Sequence, residues 1–226
     1  MWIDVFQNDG DLHSILCTKV FNIPIEDVKK PSHFKPDISY RDIQKTVDFG
    51  LAYGMSEFKL ADTIEVEVNI AKDIIDEFFR VVPDVKSFLD NVGKIGVMQG
   101  YIKTAPPYGR IRWFENYQSN DFKVKGLIER ASKNHPIQGT NADIIKLCMV
   151  ELYEYLVENN LWNPKEDIYK VKIIHNVHDE IISEVVEEFA EEYKSIKETI
   201  MVNAAQTIVK KVPMKVDLKI TDNWSK

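Results

Sequence analysis

"KIIHNVHDEIISEV", residues 172–185, joins two runs rich in β-branched apolar residues through His178, Asp179 and Glu180. Two such runs around a short polar tip read as an antiparallel hairpin. A hairpin this late in the chain, with helical patterns before it, sets the fold class. Upstream, "GYIKTAPPYGRIRWF" reads as another hairpin with Pro106, Pro107 and Gly109 in its turn. "MKVDLKI", residues 214–220, alternates like a closing strand.

The rest is helical by pattern. Asp11 caps a short helix over residues 11–22, Ser39 with Asp42 starts another, and Gly54 stops it. Residues 56–63 add a short helix. Asn69 is read as the cap of "IAKDIIDEFFRVV", Pro83 punctuates, and a further helix follows. Residues 121–134 read as a helix ending before Pro136. Thr140 and Asp143 then read as a capping box for a new helix to about residue 158, and a long amphipathic helix covers about 187–211. The order of elements predicts an α+β fold: a helical lobe on a partial, mainly antiparallel sheet. Three late strands are few for a sheet, so others would have to come from elsewhere.

The 226 residues can bury a sizeable core; 44% are hydrophobic and 29% charged, as in ordinary globular chains. No apolar run reaches the roughly 18 residues of a membrane span, and the N-terminus lacks a signal-peptide pattern. No membrane partner is expected. Cys17 and Cys148 form no metal or redox motif and fit a reducing, cytoplasmic setting. The net charge of −7 argues against bulk attraction to nucleic acid but leaves room for a local basic cleft.

Arg41, Lys45, Phe49 and Tyr53 recur every four residues. On a helix they spread over about 120° of arc and about 18 Å of length. Two cations followed by two aromatics suit a nucleoside triphosphate lying along that strip: Arg forks onto phosphate, Lys acts as a point charge, and a ring stacks on sugar or base. A solvated basic edge grading into a core stripe has the same spacing. Gly50 and Gly54, each costing about 1 kcal/mol inside a helix, favour the nucleotide reading, because they admit a close neighbour. Arg130, Asn134 and Gln138 form a second series that could reach minor-groove acceptors. Taken alone, that series is better explained as a polar helix face. Asp179 at a hairpin tip suits a Mg²⁺ ion, which takes one or two carboxylates plus substrate phosphates. Adjacent strand residues point to opposite sides, so Glu180 cannot share that ion without a bend.

Together these stretches resemble the family A DNA polymerases. "RDIQKTVDFGLAYGMS" is similar to their fingers helix, "ERASKNHPIQGTNADIIK" to the segment that reads the primer–template minor groove, and "VHDEII" to the palm hairpin with a catalytic aspartate. "VPMKVDLKITDNW" is similar to the family's ending, and "FQNDGDLHSILCTKVF" to the helix before the fingers. The resemblance implies three regions: 1–35 at the palm–fingers junction, 36–120 as fingers, and 121–226 as C-terminal palm. It implies that His13, Arg41 and Lys45 hold the incoming triphosphate, with Lys45 protonating the pyrophosphate. Phe49 would pack on the sugar and Tyr53 would guard the templating site. Arg130, Asn134, Gln138 and His178 would contact primer–template DNA. Asp179 would bind catalytic Mg²⁺, assisted by Glu180, in a two-metal reaction with metals about 3.5–4 Å apart.

The family's second catalytic aspartate lies on a D-Y-S-x-x-E-like strand absent from this sequence. Phe6, Asp11 and His13 fit the F-x4-D-x-H pattern, which places Asp4 in the intervening helix rather than on that strand. The thumb is absent too. The chain starts with Met and ends where the family ends, so the expectation is the C-terminal subunit of a split polymerase, completed by an N-terminal fragment. Phages and other small replicons are a setting where split genes fit. The alternative is a non-catalytic nucleic-acid-binding remnant or polymerase accessory, and an acidic structural domain ranks last. Three departures stand out: a long loop over 28–40, "TAPPYGRIRW" in place of a compact turn, and Asp48 where a neutral amide is common.

Overall fold

The computed structural model describes residues 2–224. They form two compact units: 2–105 with 109–138, and 139–224 with the short stretch 106–108.

The first unit is built on helices α1 (Trp2–Gln7), α2 (Leu12–Val20), α3 (Tyr40–Ala52), α4 (Glu57–Ile64), α5 (Val68–Val81) and α6 (Pro83–Gln99). Side-chain caps start three of them. Asp11 accepts from the Ser14 amide, Ser39 from that of Asp42, and Ser56 from that of Lys59. Each such cap contributes about 1 kcal/mol. One core holds these helices together. It takes Leu16 and Val20 from α2, Ile43, Val47 and Leu51 from α3, Leu60 and Ile64 from α4, and Ile74 and Phe78 from α5. Gly100, with φ of 75°, ends α6 and leads into β1 (Tyr101–Lys103), which pairs antiparallel with β2 (Ile111–Trp113). This is the hairpin expected from its Pro-Pro-Tyr-Gly tip.

Helix α7 spans Phe122–Glu158 without a break, and Pro136 lies inside it. The expected stop before Pro136 and restart at Thr140 and Asp143 are therefore corrected. A mid-helix proline costs about 3 kcal/mol. Buried Ile128, Ser132 and His135 before it, and Ile144, Ile145 and Cys148 after it, supply packing that outweighs this cost. Asn69 is not the cap of α5; the helix already begins at Val68, with Glu67 before it.

The second unit packs the later turns of α7 and helix α8 (Ala190–Ile208) against a hairpin of β5 (Val171–Val177) and β6 (Glu180–Val185). A pair not foreseen, β3 (Trp162–Asn163) with β4 (Ile168–Tyr169), precedes it. A 3-10 turn, Glu187–Phe189, leads into α8, which ends three residues before the expected 211. The late sheet is antiparallel, as expected, but all three sheets among the described residues are two-stranded. Residues 214–220 form no strand. Their burial still alternates, and Met214 and Val216 pack on the core. The pattern is that of a strand, but a strand also needs a neighbouring backbone to ladder with. Both cysteines are buried and free. Among the described residues no helix is long and apolar enough to cross a membrane.

Candidate active site

The outer face of α3 follows from its inner face. Ile43, Val47 and Leu51 are buried. Arg41, Lys45 and Phe49 each lie two residues away, about 200° around the helix, so burying the first set turns the second outward. Lys45 is exposed, Phe49 is 47% exposed and Tyr53, the C-cap residue, 41%.

Two carboxylates hold the polar end of this face. Arg41 donates to Asp11 from Nε at 2.7 Å and from Nη2 at 3.1 Å, and Nε also donates to the Ser14 hydroxyl at 3.1 Å. The Arg41 hydrogen bonds hold the Asp11 carboxyl far below the usual carboxylate range, and Asp11 in turn raises Arg41. His13 Nδ1 meets Asp48 Oδ2 at 2.5 Å, and Gln44 Nε2 donates to the other Asp48 oxygen at 2.7 Å. Burial pushes the Asp48 carboxyl up, while the bonds from His13 and Gln44 pull it back down. Phe49 packs against the His13 ring, with centroids 5.6 Å apart and a 50° tilt. The sequence points to His13, Arg41 and Phe49; it marks Asp11 as a helix cap and a member of the F-x4-D-x-H pattern, and it carries no signal for Gln44. The pairs lie 30 and 35 residues apart in sequence, so no spacing rule could have found them.

The strip ends against α7. Gly54 has φ of 76°, and a Cβ there would lie 3.3 Å from the Arg130 Cα and 3.1 Å from its Cγ. Glycine is needed twice over, for the left-handed backbone and for the close approach. The structure thus brings the end of the Tyr53 strip to the start of the Arg130 series. Arg130 and Gln138 are exposed and Asn134 half-buried, on one continuous helix. His135, buried on the same helix, meets the Arg110 carbonyl through Nε2 at 3.3 Å. A cavity of about 310 Å³ lies beside Asp48, lined mainly by apolar groups including Trp2, Leu51, Phe78 and Phe88. Those walls do not suit a phosphate.

His178, Asp179 and Glu180 lie in the second unit. Val177 pairs with Glu180, so His178 and Asp179 make a two-residue turn. His178 has φ of 54°, a left-handed conformation uncommon for a residue other than glycine. All three side chains are exposed. Asn176 Nδ2 ties the tip by donating to the Glu180 carbonyl at 3.0 Å. Beneath β6, the buried Lys197 donates to the Ile181 carbonyl at 2.6 Å and approaches the Ser183 hydroxyl at 3.4 Å. Burial lowers Lys197 to about 8, with the charge of Glu180 opposing the shift. Among the described residues no group of three or more His, Cys, Asp or Glu is placed to hold a metal. Asp179 offers one exposed hard oxygen donor, which fits part of a Mg²⁺ ligand set that substrate phosphates would help complete.

The sequence matches the profile of DNA polymerase family A over residues 1–226. It is 36% identical over 222 residues to DNA polymerase I of Caldicellulosiruptor bescii, covering 98% of this chain and 24% of that protein. It is 30% identical over 222 residues to DNA polymerase I of Geobacillus stearothermophilus, again covering 98% of this chain and 23% of the relative. The chain thus spans about a quarter of the length of these curated relatives. The structure is similar to the POL domain of Pol1 from M. smegmatis, solved in complex with DNA primer-template and dNTP. The TM-score is 0.75 at 31% identity, over 89% of this chain and 32% of that one.

Proposed function

The chain belongs to DNA polymerase family A, and from that premise we propose that it carries the fingers and the last part of the palm of a template-directed DNA polymerase. The reaction adds deoxynucleotides to a primer 3'-hydroxyl. The observation that carries this reading is the outward face of α3, where Arg41, Lys45 and Phe49 lie opposite a buried core stripe and His13 is held against Phe49.

In this reading Arg41, Lys45 and His13 bind the triphosphate. Lys45, exposed on the outer face of α3, gives a proton to the departing pyrophosphate. Phe49 packs on the sugar and Tyr53 guards the templating position. Arg130, Asn134, Gln138 and His178 contact primer–template DNA. Asp179 ligates Mg²⁺ and Glu180 assists. Mg²⁺, when bound as a pair, supplies charge stabilisation at the attacking and leaving oxygens. The second carboxylate and the thumb come from a polymerase segment outside residues 1–226, in the split arrangement an N-terminal partner fragment. Asp179 and Glu180 are adjacent on the hairpin, and among the described residues no third carboxylate, histidine or cysteine joins them in a metal-holding group, which supports that need.

The test is primer extension with residues 1–226 combined with an N-terminal family A segment bearing the other palm aspartate and thumb. Extension is expected in the mixture, with Asp179→Asn abolishing it and Lys45→Ala lowering it by about a hundredfold, the scale of a lost general acid. Extension that survives Asp179→Asn would refute the catalytic assignment. The alternative reading is a non-catalytic nucleic-acid-binding remnant or polymerase accessory, against which the intact strip of Arg41 and Lys45 argues. It predicts DNA binding without Mg²⁺-dependent triphosphate binding.

A further inference from the structure

We propose that Asp48 is a positioning residue for His13, and that through this pair triphosphate binding on α3 takes up a proton. The inference rests on the nucleotide reading of that face and adds a regulation to it. Both Asp48 oxygens are engaged, one by His13 Nδ1 at 2.5 Å and one by Gln44 Nε2 at 2.7 Å. Gln44 is itself fully buried, and its Oε1 has no hydrogen-bond partner among the described residues. The Asp48 carboxylate therefore has a fixed position from which to orient the ring, and Phe49 limits the ring from one side.

The consequence follows from imidazole chemistry. With Nδ1–H given to Asp48, a neutral His13 has a lone pair on Nε2. A lone pair repels a phosphate oxygen. Adding one proton from solvent makes Nε2–H a donor to that oxygen, while Nδ1–H keeps its bond to Asp48. Both bonds exist together only in the imidazolium form.

The neighbouring groups leave this pair as the place where the proton goes. On α2, Asp11 is committed to Arg41, and burial pushes the Cys17 thiol up to about 12, with the Asp48 charge adding to that rise. On α3, Arg41 stays charged and Lys45 is exposed. From α6, Asp84 lines the cavity beside Asp48 and adds a further negative group on that side. Burial of Asp48 raises the cost of its charge, and a cationic His13 offsets that cost.

The experiment is calorimetric titration of the full chain with dATP and Mg²⁺ between pH 6 and 8.5, in two buffers of different ionisation heat. The wild-type protein is compared with Asp48→Asn and His13→Gln. Asn still accepts from Nδ1–H without the charge, and Gln donates without titrating. Wild type should take up as much as one proton, most at the alkaline end of the range where the free ring is neutral, with affinity falling by up to about tenfold per pH unit there. Both variants should bind with a flatter profile, and the comparison cancels the titration of the γ-phosphate. Equal pH slopes in wild type and Asp48→Asn overturn the inference while the nucleotide site stands. Absence of any binding that Lys45→Ala weakens overturns the nucleotide reading, and the inference with it.

Discussion

Lys197 is a buried cation whose neighbours are a carbonyl, a hydroxyl and the Tyr193 ring. A hydrogen bond from a charged donor contributes about 1.5–3 kcal/mol, and burying the charge costs more, because the net shift is downward from 10.5 to about 8. The folded state then binds fewer protons than the unfolded state over that window. The destabilisation is full below about pH 8 and fades as pH rises towards 10.5. Lys197→Met, which keeps the length and drops the charge, is expected to stabilise by about 1–3 kcal/mol at pH 7. It should also remove the rise in stability between pH 8 and 10 in thermal melts. Asp11 works with the opposite sign. Its folded value is depressed by Arg41, so its contribution is present above 3.8 and is lost as pH falls below that. The Asp11 side chain is 42% exposed, which limits the pair to about 0.5 kcal/mol. Asp11→Asn keeps the helix cap, so it should cost that amount near pH 7 and progressively less as pH falls below 3.8, read by denaturant melts across that range.

Helices α6 and α7 approach through glycines. A Cβ at Gly96 would lie 1.8 Å from the Ser132 Oγ and 2.7 Å from its Cβ, and one at Gly93 would lie 2.8 Å from the Glu129 Cγ. Ser132 is fully buried and its hydroxyl donates to the Ile128 carbonyl, so it cannot swing away freely. Gly96→Ala is therefore expected to cost about 1–3 kcal/mol, and Gly96→Ala with Ser132→Gly to recover part of it, measured by chemical denaturation. Elements whose cause is local were legible in the sequence. The caps at Asp11 and Ser39, the stop at Gly54 and the two faces of α3 follow from neighbours within four residues. Elements whose cause is distant were not. Pro136 reads as a break because packing on both sides of it is invisible in a local window. Residues 214–220 read as a strand because alternation specifies a face and says nothing of a partner. The Asp11–Arg41 and His13–Asp48 pairs belong to the same class. Asp48 was visible as a departure from the family, but its partner was visible only in three dimensions.

Each unit buries its own core, yet the sheets are minimal. A two-stranded hairpin alone is marginal in water, and β5–β6 is braced by α7 and α8 through Ile173, Ile181 and Val171. Elsewhere on the hairpin, Ile174 is 51% exposed and His175 meets Trp224 edge-on at 6.2 Å. Residues 214–220 run beside that core with strand-like alternation and no ladder. Backbone groups left without a ladder are templates for pairing, and a partner that binds the folded state stabilises it by mass action. Amides of β5, β6 and 214–220 should therefore exchange at least about tenfold faster than those of α3 and α5 in the isolated chain, because local opening tracks sparse burial. Adding the N-terminal polymerase segment with primed DNA should close that gap in hydrogen-exchange mass spectrometry. The same addition should be required for nucleotide incorporation. Slow exchange throughout the hairpin in the isolated chain would show that the palm strands need no partner to order. Robust extension by residues 1–226 alone, with Mg²⁺, primed DNA and deoxynucleotides, would show that Asp179 finds its second carboxylate within this sequence.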